Sequence, residues 1–490
     1  MSLVYKGLAL GLSLALVLPL ASCGSGDPAN SSGPASPSPT VEATPTPTPT
    51  PDPYEAVRTY WSEDELTQAW GPNQVVEHLF FHPVIAYPEF TFSSAVPENR
   101  QKGLDDWMVT ADEFKAILQS VYDQNYILVP MEDVWSEYTT DDGQQRMQRN
   151  TLMLPEGKKP LVISFDDVNY YEYMLEEGFT SKLVLGDDGQ IWAETRDPYT
   201  GEVSLTRDLD ATTILDDFVL EHPDFSLNGA KAIYSLTGYE GILGYRTQND
   251  IDIAADDPAR PAFDAKRAAE IEAVKPVIQR LKETGWTFGS HTWGHINLDS
   301  PKVDLAWIQR DTVRWAEEVG SLVGPTNILF YPHGARPDGD DWHSTGPKFQ
   351  YLQSQGFRIF ASVGINSFSY IKKDISAVIC DRLHPDGTTL RSVRAREWYK
   401  QFYDPTQIID LNVRPDYGWY KYPFRLCRAA PPGCSHTRGA FSATPPPWPR
   451  AVSPAPFFRS GRHRSGKFRS GRRSPAASAG APGPGRSAGG

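Results

Sequence analysis

The chain has 490 residues, of which 12% are aromatic and 22% charged, with a formal net charge of −14. That length allows a large buried core, and the acid excess argues against nucleic acid as a partner. Four cysteines in so long a chain imply no disulfide framework.

Lys6 precedes an apolar run over residues 7–20, short for a bilayer crossing but suited to a signal peptide. Leu20-Ala21-Ser22-Cys23 then reads as a bacterial lipobox, so residues 1–23 are expected to be a lipoprotein signal with Cys23 as the lipidated residue. An ordinary secretory signal followed by a chance cysteine is the alternative. Residues 24–53 are rich in Ser, Pro, Thr and Gly and include a Thr-Pro repeat, a composition that builds no core and acts as an extended spacer. The expected location is the extracellular face of a bacterial membrane, held by the lipid anchor only, with secretion as the alternative.

The body, residues 54–424, alternates strand-like and helix-like segments. A strand is expected over 77–81, a helix over 111–124 and a strand over 161–165 that runs into Asp166-Asp167. Residues 172–228 read as an insertion in which an Asp-Gly pair between the apolar alternations of 182–192 predicts a hairpin. A strand over 231–236 follows, then a helix over 265–283 with Asp264 as its N-cap. The segment 286–290 leads into Ser290-His291-Thr292-Trp293-Gly294-His295, and a helix is expected over 304–323. Strands at 327–331, 358–363 and 375–380 complete the series, the first entering Tyr331-Pro332-His333-Gly334 and the last Arg382-Leu383-His384. Repeated strand-helix units imply a parallel sheet whose chemistry gathers at the C-terminal ends of the strands.

Successive strand side chains point to opposite faces, so Asp166 and Asp167 can share one site only where the strand breaks into its loop. His291 and His295, four apart around Gly294, can converge on one ion from a tight turn. Each half has a bland explanation: Asp-Asp after an apolar run is commonly a strand-end turn, and ten histidines can produce His-x-x-x-His by chance. Their joint occurrence after short apolar runs points to a one-metal hydrolase.

These motifs resemble the polysaccharide deacetylase family, the NodB-homology domain of carbohydrate esterase family 4. Ser164-Phe165-Asp166-Asp167-Val168 is similar to its first motif except at the outer residues, His291 to His295 meets the second in full, and Tyr331-Pro332-His333-Gly334 is similar to the third with His in the aromatic position. His78-Leu79-Phe80-Phe81-His82 and the strand at 231–236 are similar to the family's first two barrel strands. The resemblance implies a distorted (β/α)7 barrel and a metal-dependent hydrolase that removes acetyl groups from N-acetylated or O-acetylated cell-surface or extracellular polysaccharide.

By the same resemblance, Asp167, His291 and His295 hold a divalent ion, zinc first with cobalt, nickel or iron as alternatives. Asp166 is then the general base, and Tyr331, Pro332, His333 and Gly334 form an oxyanion and substrate loop. Thr292 ties its hydroxyl to the backbone of the histidine loop. His384 is the first candidate for the general acid and His333 the second.

Three departures stand out. Val168 replaces a glycine, Phe330 stands where many members carry an arginine that orients the base, and the stretch between the first two motifs is longer than is typical. They leave one alternative: a catalytically degenerate protein that binds polysaccharide with the same cleft. Residues 425–490 turn abruptly to Arg, Pro, Ser, Ala and Gly. This tail reads either as a basic arm for anionic polymers or as an alternate reading frame, with no fold expected. It holds twelve Lys plus Arg and no acid, so the part before it is more acidic than the whole chain.

Overall fold

Seven short apolar segments form parallel strands that neighbour one another in chain order: β1 (Glu77–Phe81), β2 (Lys159–Asp166), β3 (Ala232–Leu236), β4 (Thr287–Ser290), β5 (Ile328–Phe330), β6 (Ile359–Val363) and β7 (Ala377–Arg382). β-Branched and aromatic residues dominate them, and almost every position is buried, as strands covered on both faces require. The register pairs Phe81 with Phe165, Asp166 with Ser235, Leu236 with Ser290 and Val363 with Arg382. The computed structural model describes residues 52–338, 346–372, 376–392 and 394–415. The signal segment with Cys23, residues 24–51 of the spacer and the basic tail lie outside the described residues.

The ring closes where β1 meets the end of β7, through Phe80 N–H to Leu383 O and Leu383 N–H to His78 O, both 2.9 Å. The closure is short for a specific reason. A further strand, Ser369–Lys372, runs antiparallel along β7 from Ala377 to Cys380 and occupies that edge. Leu383, just past β7, is what is left for β1. The architecture is thus the expected distorted (β/α)7 barrel.

Helices cover the outside of the barrel: α1 (Ala111–Asp123), α2 (Ala211–Glu221), α3 (Arg260–Glu283), α4 (Leu305–Trp315) and α5 (Pro347–Ser354). Thr110 and Glu113 form a reciprocal capping box at the start of α1, and Asp304 caps α4 by accepting Trp307 N–H at 2.8 Å. The expectation that Asp264 caps α3 is corrected: the helix begins at Arg260, and Asp264 lies one turn inside it, paired with Arg260 at 2.8 Å. Pro261 permits the earlier start, because a first-turn residue needs no N–H partner.

The insertion after β2 contains three antiparallel strands, Thr180–Leu185, Ile191–Arg196 and Val203–Thr206, with Leu185 opposite Ile191 across a turn in which Gly189 takes φ +74°. Leu183, Ile191 and Ala193 join the main core, and Leu183 N–H donates to Leu243 O at 3.2 Å in the loop after β3. The insertion is therefore seated beside the loops that leave β2 and β3.

A buried charge network anchors the far end of the body. Arg414 bonds Asp105 at 2.9 Å and Glu113 at 2.6 Å, while Arg391 reaches Asp105 at 2.6 Å. It ties the helix Glu98–Trp107 to the short helix Gly387–Arg391 behind His384. Charges without access to water are tolerable here because each one is paired.

Candidate active site

Along β2, Ser164 and Asp166 share the interior face of the barrel, and Asp166 is 3% exposed. The next residue breaks the alternation: Asp167 takes a left-handed φ of +62°, its N–H donating to Ser235 O and its C=O accepting from Asn169 N–H. This turn brings the second carboxylate to the barrel mouth beside the first. Thus the chain makes the bend at Asp167 itself, and Val168, with its side chain in the core, needs no glycine-like freedom.

Arg382, fully buried at the end of β7, grips Asp166 with two parallel hydrogen bonds of 2.8 and 2.9 Å and reaches Ser164 Oγ at 3.1 Å. Its guanidinium lies between the rings of Phe80 and Phe330, 4.1 and 4.5 Å from their centroids. The expected loss of a base-orienting arginine is therefore corrected. The guanidinium comes from another strand, and Phe330 forms one wall of its slot. Burial alone pushes the Asp166 carboxyl up, but the Arg382 charge and then His291 outweigh it and hold the group well below the usual carboxylate range.

His291 Nδ1–H donates to Phe330 O at 3.0 Å, which leaves Nε2 directed inward, 3.8 Å from Asp166. His295 Nε2 lies 3.5 Å from Asp167 Oδ2. One donor atom each from Asp167, His291 and His295 falls within 4.8 Å of the others. Two imidazole nitrogens and a carboxylate oxygen fit zinc and its neighbours, and three protein ligands leave positions open for water and substrate. Burial pushes the Asp167 carboxyl up, an effect partly offset by His291 and by the Tyr171 hydroxyl.

The turn from His291 to His295 is held from outside. Thr292 and His295 both have positive φ, +58° and +49°, conformations that persist only where neighbours enforce them. Thr292 Oγ1 accepts Ile296 N–H at 3.0 Å, and Asp311 on α4 accepts Trp293 N–H at 2.7 Å and Gly294 N–H at 2.8 Å. Trp293 is in turn covered by Arg314 at 3.4 Å and donates to Glu318 at 3.1 Å. Asp311 went unnoticed in the sequence because it sits in an ordinary helical pattern 17 residues from the turn it holds. Burial raises its carboxyl to about 6 against the pull of the two amides. Asp311→Ala is expected to lose roughly 1–3 kcal/mol for each amide left unpaired, and chemical denaturation measures it.

The Tyr331–Gly334 loop contributes less than its four residues suggest. Tyr331 N–H donates to Ala361 O at 2.8 Å and Gly334 N–H to Tyr331 O at 2.9 Å, and proline has no N–H. Within this loop only His333 N–H has no backbone acceptor among the described residues. His333 has φ +58°, lies on the exposed rim and packs its ring edge-on to His295 with centroids 4.4 Å apart.

His384 does not stand alone. Its Nδ1 faces Asp386 Oδ2 at 3.0 Å, its Nε2 meets His82 Nδ1 at 3.0 Å, and its ring stacks on Phe80, with Trp107 parallel to it at 6.4 Å. Asp386 also caps the helix Gly387–Arg391, which fixes its carboxylate. His82 lies just past β1 and, as on His295, the Asp166 and His291 charges both act on it. Burial and then His384 lower its pKa to about 3. The sequence quoted His82 only as part of a strand, because nothing local distinguishes it from a loop histidine.

No family profile and no curated protein matches the chain. Among solved structures it is similar to a polysaccharide deacetylase from Bacillus cereus, with a TM-score of 0.36 and 13% identity over 67% of this chain and 69% of that one. It is also similar to IcaB from Ammonifex degensii, with a TM-score of 0.32 and 12% identity over 68% of this chain and 97% of that one.

Proposed function

We propose that the protein is a metal-dependent hydrolase that removes acetyl groups, from nitrogen or oxygen, on cell-surface or extracellular polysaccharide. The carrying observation is the convergence of Asp167, His291 and His295 beside an Asp166 clamped by Arg382. A binding module has no use for an ionised carboxylate held at such expense next to a ligand set, which disfavours the degenerate reading. The polysaccharide rests on the motif resemblance, and the lipobox supports action at the outer face of a bacterial membrane.

A divalent ion held by Asp167, His291 and His295 supplies Lewis acidity, which makes a water easier to deprotonate near neutral pH and polarises a carbonyl. Asp166 takes the proton from the attacking water. Because Arg382 keeps this base weak and fixed in direction, it stays ionised and correctly aimed. His333 N–H is the loop amide able to donate to the oxygen that gains charge as water adds to the acetyl carbon. The bond to the leaving nitrogen or oxygen then breaks, and that atom needs a proton.

His82 is the group best disposed to give it. An imidazolium at His384 passes its Nε2 proton to His82 Nδ1 as His82 loses its Nε2 proton to the leaving atom, so His82 stays neutral throughout and His384 ends neutral beside the Asp386 carboxylate. This explains how a ring whose own pKa is about 3 can act near neutral pH: it passes a proton on without holding the charge. Trp107, 43% exposed and parallel to His384, offers an apolar face to a sugar ring beside the acid.

Acetate release from a panel of acetylated glycans and a chromogenic acetyl ester tests the proposal. Release should disappear on chelation and return with zinc or cobalt. A zinc-loaded protein silent on every substrate, yet retaining glycan, would favour the binding module.

A further inference from the structure

Tyr171 lies four residues beyond Asp167 and belongs to no motif singled out in the sequence. Its hydroxyl is 2.7 Å from Asp167 Oδ1 and 2.7 Å from Thr237 Oγ1, and the residue is 1% exposed. The ring stacks on Tyr239 at 4.7 Å and 11° and on Tyr173 at 5.8 Å and 20°, and Arg100 caps Tyr173 at 4.2 Å while pairing with Glu177. The phenol is therefore fixed in direction from several sides. Thr237 is the first residue after β3, and Asn169 Nδ2–H donates to Thr237 O at 3.1 Å. The loops after β2 and β3 are thus joined at this hydroxyl.

The two oxygens of Asp167 face different partners. Oδ1 meets the phenol, and Oδ2 faces His295 Nε2 at 3.5 Å. We infer that Tyr171 is a positioning residue that occupies Oδ1, so that Asp167 offers a divalent cation one oxygen rather than two and a coordination position stays open. The inference rests on the metal-site reading above. A carboxylate released from the phenol could rotate and chelate through both oxygens, or turn away from the histidines. Partners of metal ligands commonly govern affinity in this way.

The test is calorimetric titration of the metal-stripped full chain with Zn²⁺, for wild type, Tyr171→Phe and Thr237→Val, with visible spectra of the Co²⁺-loaded forms. Phenylalanine keeps the ring stack, so the variant should melt close to wild type. Its Zn²⁺ affinity should fall about 10–100-fold, and its Co²⁺ absorption should change in intensity as the ligand number changes. Thr237→Val removes one partner of the phenol but leaves its bond to Asp167, so it should lose less affinity and keep the wild-type spectrum. If Tyr171→Phe does not fold, Thr237→Val carries the test: a measurable fall in Zn²⁺ affinity is then expected, and an affinity equal to that of wild type overturns the inference. The inference is overturned if Tyr171→Phe matches wild type in affinity and spectrum, or if Thr237→Val loses as much as Tyr171→Phe. Wild type that binds no Zn²⁺ would instead remove the metal-site reading, and this inference with it.

Discussion

Arg382→Met is expected to lower kcat by at least about 10²-fold and to lose roughly 3–5 kcal/mol of folding stability, because it strands the buried Asp166 carboxylate. The two effects separate by pH. In the wild type Asp166 titrates well below the ordinary carboxylate value of 3.8, so its stabilising contribution is present above that value and is lost as pH falls below it. Without Arg382, burial dominates and the folded-state pKa rises above 3.8. The carboxyl then binds its proton more tightly folded than unfolded, and stability is lost as pH rises. The gap between wild type and variant should accordingly be wide at pH 7 and narrow towards pH 4, as read by urea denaturation at both. Adding Asp166→Asn should restore much of the stability and none of the activity. An equal gap at both pH values would mean that Arg382 acts through packing between Phe80 and Phe330 instead.

Asp166→Asn and His295→Ala are both expected to abolish acetate release, for different reasons. Asparagine still accepts a hydrogen bond from Arg382 but cannot take a proton, so kcat should fall roughly 10²–10⁴-fold while bound metal and glycan affinity persist. Alanine at 295 removes a donor atom, so metal and turnover should vanish together. Elemental analysis beside the kinetic assay distinguishes the two. Loss of the ion from Asp166→Asn would make that carboxylate a ligand and not the base.

The strand-end motifs were legible because each sits where periodicity breaks: Asp166-Asp167 after 161–165, His291 after 286–290 and Tyr331 after 327–331. Their partners were not. Arg382 lies 216 residues from Asp166, and the expected strand over 375–380 stops short of it, since an Arg after an apolar run reads as the start of a loop. In the structure β7 continues through Arg382, and the charge is admitted to the interior because Asp166 and two aromatic rings receive it. His82 and Tyr171 were missed for a similar reason. Barrel closure brings His82 onto His384, and only the bend at Asp167 brings its carboxylate to the Tyr171 phenol. Local pattern identifies groups that bear chemistry, whereas ring closure decides which of them meet. The same distinction explains Asp264, whose residue type suits a cap but whose helix had already begun at Arg260.

The central claim is that Asp167, His291 and His295 form one divalent-ion site at the barrel mouth. Calorimetric titration of the metal-stripped full chain with Zn²⁺, run beside the His291→Ala/His295→Ala double variant, tests it most directly. Saturable binding of one ion per chain is expected in the wild type, and none at that affinity in the double variant. Unchanged stoichiometry and affinity in the double variant, or no saturable binding in the wild type, would contradict it.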